Sequence, residues 1–325
     1  MFFDPQRQKY LFLLCLGITL AAAATQQTVP PPSWAYAIAA PDYKAPVEDG
    51  VVRHVPGSSS GWTLTQLRDL FFAPDWHPEE HAVLPDVVAH GRKPEVFACG
   101  FCHRAEGTGG PENASLAGLP KEYLIQQMAE FKSGARKSSF PDHGPAKLMA
   151  ALAKSASDDE VAQAAAYFSG VKPRKLISVI ETNEVPKTYV AGWVYTPTLE
   201  KEKEPIAGRI IEMPTDLEQF ESRDTHSEFV AWVPKGSVAA GKKLATTGAH
   251  GNTVACSTCH GADLQGMQAV PGIAGRSPSY LMRQLYDMKY GARTGPATLP
   301  MKPVLAHLSE EDMTALAAYA ASLNP

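Results

Sequence analysis

The sequence predicts a mainly α-helical protein: two similar helical domains, preceded by an N-terminal extension and separated by a small β-rich segment. Three observations lead there. The pentapeptide Cys99-Gly-Phe-Cys102-His103 returns as Cys256-Ser-Thr-Cys259-His260, 157 residues later. A long amphipathic stretch follows each copy at the same distance, which marks a repeated structural unit. Residues 171–236, between the copies, are instead rich in β-branched and aromatic residues and broken by proline and charge.

The length of 325 residues and a hydrophobic content of 44% allow two compact domains without disulfide staples. A formal net charge of -4 offers no basic field, so nucleic-acid binding is set aside. Residues 1–24 read as a secretory signal peptide, with Arg7 and Lys9 ahead of an apolar run and Ala21 to Ala24 as a small-residue cleavage zone. The apolar run is too short to span a bilayer. Cys15 leaves with that peptide, and the remaining four cysteines all belong to the two pentapeptides.

The extension, 25–95, begins with Pro30-Pro31-Pro32, has a turn at 56–61, and shows helical spacing over 64–72 at Leu64, Leu67 and Leu70. It is expected to pack on the first helical domain. His77 and His81, at i and i+4, have the spacing of a helical metal pair, but no third ligand follows at a motif spacing. They read as surface histidines of a helix that starts at Pro78.

The first unit spans 96–170 and the second 237–325. Tyr123-Leu-Ile-Gln-Gln-Met-Ala-Glu-Phe-Lys-Ser-Gly-Ala-Arg136 aligns without a gap on Tyr280-Leu-Met-Arg-Gln-Leu-Tyr-Asp-Met-Lys-Tyr-Gly-Ala-Arg293. Both are amphipathic helices ended by glycine, with Leu124, Gln127, Met128 and Phe131 on one face of the first. Met149 and Met301 follow in what read as loops, and each unit closes with an acidic helix start, at Ser157 or Ser309, and an alanine-rich helix. In the connector, 176–180, 189–195, 206–211 and 228–233 read as strands of a small antiparallel element. Its acidic stretch Asp216, Glu218, Glu221 and Asp224 reads as solvated.

C-x-x-C-H is the attachment pattern of c-type haem. One helical turn puts the two thiols on one face, where they can add to the vinyl groups of one porphyrin, with the next histidine as proximal iron ligand. Cys99, Cys102, Cys256 and Cys259 are thus the covalent attachment points of two haem c groups, and His103 and His260 their proximal ligands. Met301, 41 residues after His260, and Met149, 46 after His103, are the distal candidates. For the first haem, His143 or an open distal position are alternatives. Met128, Met282 and Met288 read as core filler, and Met267 as packing beside the motif. Around the ligands, a carbonyl next to Pro271 is placed to accept the His260 Nδ1 proton, with Ala114 at the matching position of the first unit. Arg136 and Arg293 read either as partners of haem propionates or as solvated helix-end arginines.

With these residues the chain resembles a class I c-type cytochrome, and its tandem form is similar to the dihaem cytochrome c4 type. The resemblance rests on Cys256 to Gly261, Pro271-Gly-Ile-Ala-Gly275, Tyr280-Leu-x-x-Gln284, Gly291-Ala-Arg293, Met301 and Leu316-Ala-Ala-Tyr319, and covers about half of the chain. It implies two all-α cytochrome domains, Met/His ligation, and a periplasmic electron carrier between a redox donor and a respiratory acceptor. The departures are Arg104 where the pattern has glycine, Ala114 where it has proline, and the extension and connector. Two alternatives stay beside the carrier: a dihaem oxidoreductase with a catalytic first haem, and the cytochrome subunit of a periplasmic dehydrogenase, docked to a membrane or periplasmic redox complex.

Overall fold

The computed structural model describes residues 30–248 and 253–325. The signal-peptide reading of residues 1–24 lies outside the described residues. The first unit runs from the pentapeptide helix α3 (Cys99–His103) through α4 (Lys121–Ser133), α5 (Gly144–Ser155) and α6 (Asp158–Gly170), preceded in the extension by α1 (Leu64–Leu67) and α2 (Asp86–Ala89). The second unit opens with α8 (Ser237–Thr247) and continues through α9 (Ser257–His260), α10 (Pro278–Lys289), α11 (Met301–Leu305) and α12 (Glu310–Ser322).

Local chemistry accounts for the helix limits. Ser157 and Ser309 each close a capping box, accepting from the amides of Glu160 and Asp312 while those carboxylates accept from the serine amides. Such a box satisfies two orphan donors and contributes on the order of 1 kcal/mol. Gly134, at φ 76°, ends α4 in the left-handed conformation that glycine adopts without a Cβ penalty. In the second unit, α12 is buried from Met313 to Ala321. Its small side chains let α8 approach closely at Gly241, where a Cβ would overlap the Ala315 carbonyl.

Two expectations about helices are corrected. Met149 lies inside α5 and Met301 is the first residue of α11, so neither sits in an extended loop. Pro145 at the start of α5 and the Ala/Leu/Lys-rich run behind it favour the helix over the loop. The helix anticipated over 64–72 stops after one turn, because Asp69 turns the chain by accepting from the Phe71 amide.

The connector contains β1 (Ile177–Thr182), β2 (Glu184–Pro186), β3 (Thr188–Ala191), β4 (Val194–Pro197), β5 (Lys203–Pro205), β6 (Ile211–Pro214), α7 (Leu217–Glu221) and β7 (Phe229–Pro234). It is not purely antiparallel. The three-stranded sheet has order β1-β7-β6, with β1 and β7 parallel and β6 antiparallel to β7, because α7 and its flanking turns carry the chain back before β7 begins. The anticipated strand 189–195 is a hairpin, β3 and β4, turning at Gly192 and Trp193. Phe229, Ala231 and Val233 alternate inward, and Ile177 and Phe229 share a core with Ala321 of α12.

The extension serves both units. Val87 and Val88 join the first unit's core, as expected, but Ala35 and Tyr36 enter the core of the second. The supposed surface histidine His77 is 2% exposed: its Nε2 is 3.0 Å from Asp224 Oδ1, and its ring stacks on His226 at 3.8 Å. Asp224, expected in solvent, is buried as that partner. A lone α-helical turn cannot expose both histidines when Pro78–Glu80 forms only a tight 3₁₀ turn that aims His77 inward.

Candidate haem sites

In each unit the pentapeptide forms a short helix that sets the two cysteine side chains about a turn apart and ends at the histidine. His103 Nδ1 lies 2.8 Å from the Ala114 carbonyl, and His260 Nδ1 lies 2.8 Å from the Pro271 carbonyl. Positions 114 and 271 are again 157 residues apart. The acceptor is a backbone carbonyl, so replacing proline by alanine leaves the contact intact. Donation from Nδ1 fixes the tautomer and leaves the Nε2 lone pair for a metal. Burial holds both imidazoles below the ordinary histidine range, which keeps them neutral and able to ligate. Burial also pushes the Cys99 thiol up to about 12 and Cys256 up to about 11.

In the first unit these groups face a cavity that opens to solvent. Cys99, Cys102, His103, Met149, His143 and Met128 all line it. The donor set is therefore brought together, and Met128, taken as core filler, faces the cavity. His143 is 8% exposed and precedes α5, with its ring edge-on to Tyr36; burial drives its pKa down to about 3. In the second unit Cys256 and Met301 pack against the same core as Ile273 and Leu323. Met282 is fully buried there, while Met267, anticipated as packing, is 47% exposed.

Arg136 and Arg293 are not solvated helix ends. Both are buried and lie opposite one another across an antiparallel bridge between the two units. Arg136 donates to Gln127 Oε1 (2.8 Å), Tyr280 Oη (2.8 Å) and Gln284 Oε1 (3.0 Å). Arg293 donates to Gln284 Oε1 (3.0 Å) and Gln127 Oε1 (2.7 Å). Gln127 and Gln284 are repeat equivalents, so the contact is close to twofold symmetric. The first cavity extends to this junction, where Arg136, Tyr280 and Gln284 line it. The two glutamines were missed as site residues, although the gap-free repeat that contains them was the available signal.

Two thiols and a tautomer-fixed histidine on one cavity wall, sulfur and imidazole donors on its lining, and a buried guanidinium at its far end fit a covalently held haem. The cytochrome c family model matches residues 91–172 and 238–324, just over half of the chain. The chain belongs to the cytochrome c family. It is similar to cytochrome c4 of Azotobacter vinelandii, 25% identical over 249 residues that cover 75% of this chain and 91% of that one. It is also similar to a thiosulfate dehydrogenase electron acceptor of Thiomonas intermedia (strain K12), 26% identical over 233 residues, 70% of this chain and 80% of that one. A protein of the same name from Stutzerimonas stutzeri (strain A1501) is 44% identical over 87 residues, and the match spans only 39% of its length. This cytochrome c carries two covalently bound haem c groups and is a cytochrome c4-like dihaem electron-transfer protein. No helix among the described residues is long and apolar enough to cross a membrane.

Proposed function

We propose that the chain is a periplasmic dihaem cytochrome that takes electrons from a redox donor and passes them to a respiratory acceptor through two Met/His-ligated haems. In this reading Cys99, Cys102, Cys256 and Cys259 attach the haems, His103 and His260 are the proximal ligands, and Met149 and Met301 close the distal sides. The observation that carries it is the pair of matched 2.8 Å contacts from His103 and His260, with Met149 lining the same cavity as His103. Haem supplies a one-electron couple whose potential a thioether ligand raises. The chain's own part is to hold the imidazoles neutral and oriented, to exclude water, and to place Arg136 on the lining of the first cavity, where it would pair with a haem propionate. The donor in this reading is a periplasmic dehydrogenase, in line with the names of two relatives. Secretion by residues 1–24 accounts for the compartment.

Exposing the fully reduced protein to carbon monoxide tests the closed sites. No spectral change is expected at either haem; ready binding overturns the carrier reading. A second reading, an oxidoreductase with a catalytic first haem, is favoured by one observation: His143 and Met128 join Met149 around the first cavity. Met149→Ala separates the two. A carrier gains a high-spin, carbon-monoxide-binding first haem, whereas a site already open shows an unchanged spectrum.

A further inference from the structure

The first attachment loop, residues 99–117, has no exposed residue. The extension covers it where Gly100 meets Ala73 and Val88, and the connector where Arg223 stacks 3.6 Å from the Phe101 ring centre. The second unit covers the rest through Arg276, which donates to the Ser115 and Ala117 carbonyls. In the matching loop of the second unit, 256–274, Thr258, Cys259, Asp263, Gln265, Met267 and Gln268 are exposed.

A polar cluster lies where the extension, the first unit and the connector meet. His77 of the extension has its Nε2 3.0 Å from Asp224 Oδ1 of the connector. The ring of His226 stacks on His77 at 3.8 Å, with its own Nε2 2.9 Å from Glu80 Oε2. Glu80 and Glu106 share Arg174, whose Nη2 is 2.9 Å from Glu106 Oε2, and Thr225 Oγ1 donates to Glu106 Oε1. His77, Asp224 and Glu106 are buried. Donor atoms of His77, Asp224 and His226 lie within 4.8 Å of one another, as do those of Glu80, Glu106 and His226. None of these residues lines the first haem cavity.

Three carboxylates meet here, and the one cation in contact with them is Arg174. Arg104, which Asp224 acts on from farther away, is paired with Glu112. With neutral imidazoles the cluster holds two surplus negative charges, and two of its carboxylates are out of water, which is costly unless positive charge offsets it. Two imidazoles and carboxylate oxygens without a thiolate suit zinc and its neighbours, whereas calcium and magnesium take oxygen ligands. A tetrahedral zinc with bonds of ~2.0–2.2 Å holds its ligand atoms about 3.3 Å apart, so shifts of about 1 Å bring in donors now within 4.8 Å. The stacked rings have to tilt for both lone pairs to meet one ion. His226, whose side chain is 31% exposed, has room to do so.

We propose that His77, Asp224 and His226 bind one divalent transition-metal ion of the zinc class, with Glu80 at the fourth position. The ion joins the extension to the connector and clamps the cover over the first attachment loop. Its role is structural, and neither haem ligation nor the carrier reading depends on it.

The test uses the full dihaem protein without a histidine tag, stripped with a chelator and titrated calorimetrically with zinc chloride. One ion per chain is expected, with a dissociation constant below about 1 µM, a modest value for a structural zinc site. X-ray absorption at the zinc edge, which the haem iron does not obscure, should show two imidazoles and carboxylate oxygen at ~2.0–2.2 Å. His226→Gln keeps a donor for Glu80 and should leave the zinc-free melting temperature in place while weakening binding at least about 100-fold. His77→Ala should weaken it as much. His307→Ala, at an exposed histidine outside the cluster, should change nothing. Zinc is expected to slow hydrogen exchange in 99–117 and not in 256–274, and to lose that effect in His226→Gln. The proposal is overturned if no saturable site tighter than about 1 µM exists, if His226→Gln binds like the wild type, if fewer than two imidazoles surround the zinc, or if exchange slows equally in both loops.

Discussion

The two attachment loops contain the same C-x-x-C-H pattern and the same histidine-to-carbonyl contact, yet one lies under three layers of chain and the other faces water. What differs lies outside the repeat. Arg104 occupies the position that Gly261 holds in the second unit; both backbones are left-handed, at φ 69° and 84°. With ψ at 161° and 159° as well, this is a region glycine adopts freely, whereas arginine does so at a cost of roughly 1–3 kcal/mol. Arg104 is 1% exposed, stacks on Phe220, and has Glu112 at 3.9 Å as its ion-pair partner. A strained, buried cation at this point is tolerable only because the connector supplies the aromatic face that covers it. The extension and connector are therefore structural parts of the first haem site.

Removing the cover should have the largest effect. Trp76 is 1% exposed, donates 2.8 Å to the Ser222 carbonyl, and ties the extension to the connector. Trp76→Ala is expected to cost about 3–5 kcal/mol in a denaturant titration, as for other large buried aromatics. Hydrogen exchange should accelerate in residues 99–117 and not in 256–274. Equal acceleration in both loops would show that the cover is not local.

The second unit can be broken separately. Gly241→Val drives a side chain into the Ala315 carbonyl and should cost about 1–3 kcal/mol by forcing α8 and α12 apart. The loss should appear as faster exchange in α12 while α4 and α6 stay protected.

Charge at the covered loop can be changed without emptying it. Arg104→Met removes a buried positive charge that favours the reduced haem, so the first haem's potential should fall while the second stays in place. The expected shift corresponds to about 1 kcal/mol, with Glu112 opposing part of it. A redox titration with two resolved couples reads it directly; movement of both couples would mean that Arg104 does not discriminate between the units.

The smallest effect is pH dependent. His81 Nε2 lies 3.0 Å from Asp75, and that hydrogen bond holds the imidazole above its ordinary range. A raised folded-state pKa contributes stability that is complete below about 6.5 and lost as pH rises through the folded value. Between pH 6 and 8 the wild-type melting temperature should fall further than that of His81→Asn, by an amount worth under about 1 kcal/mol because the pair is partly solvated. Parallel curves for the two proteins would remove His81 from the account.

Much of the site could be read in the chain because it is local. Two thiols and a histidine within five residues need only one turn of helix, and the fixed spacing of 157 placed the equivalent pairs from the pentapeptides to Arg136 and Arg293, including Ala114 and Pro271. Capping boxes at Ser157 and Ser309 and the glycine stop at Gly134 likewise depend on neighbours three or four residues away. The reading went astray where a residue's partner lies far along the chain. His77 looked like a surface residue because Asp224 is 147 positions distant. Met149 looked like a loop residue from its place between the long helix and the closing helix of the repeat, although Pro145 starts a helix that contains it.

By itself, then, the sequence determined the repeat, the attachment pattern and the local contacts of His103 and His260, since these follow from covalent geometry and short-range hydrogen bonding. Only the tertiary structure decided which loop is covered, that Arg136 and Arg293 meet across the units, and that β1 and β7 run parallel. Those outcomes depend on burying side chains against elements from distant parts of the chain, and a linear pattern of apolar and polar residues does not name the partner.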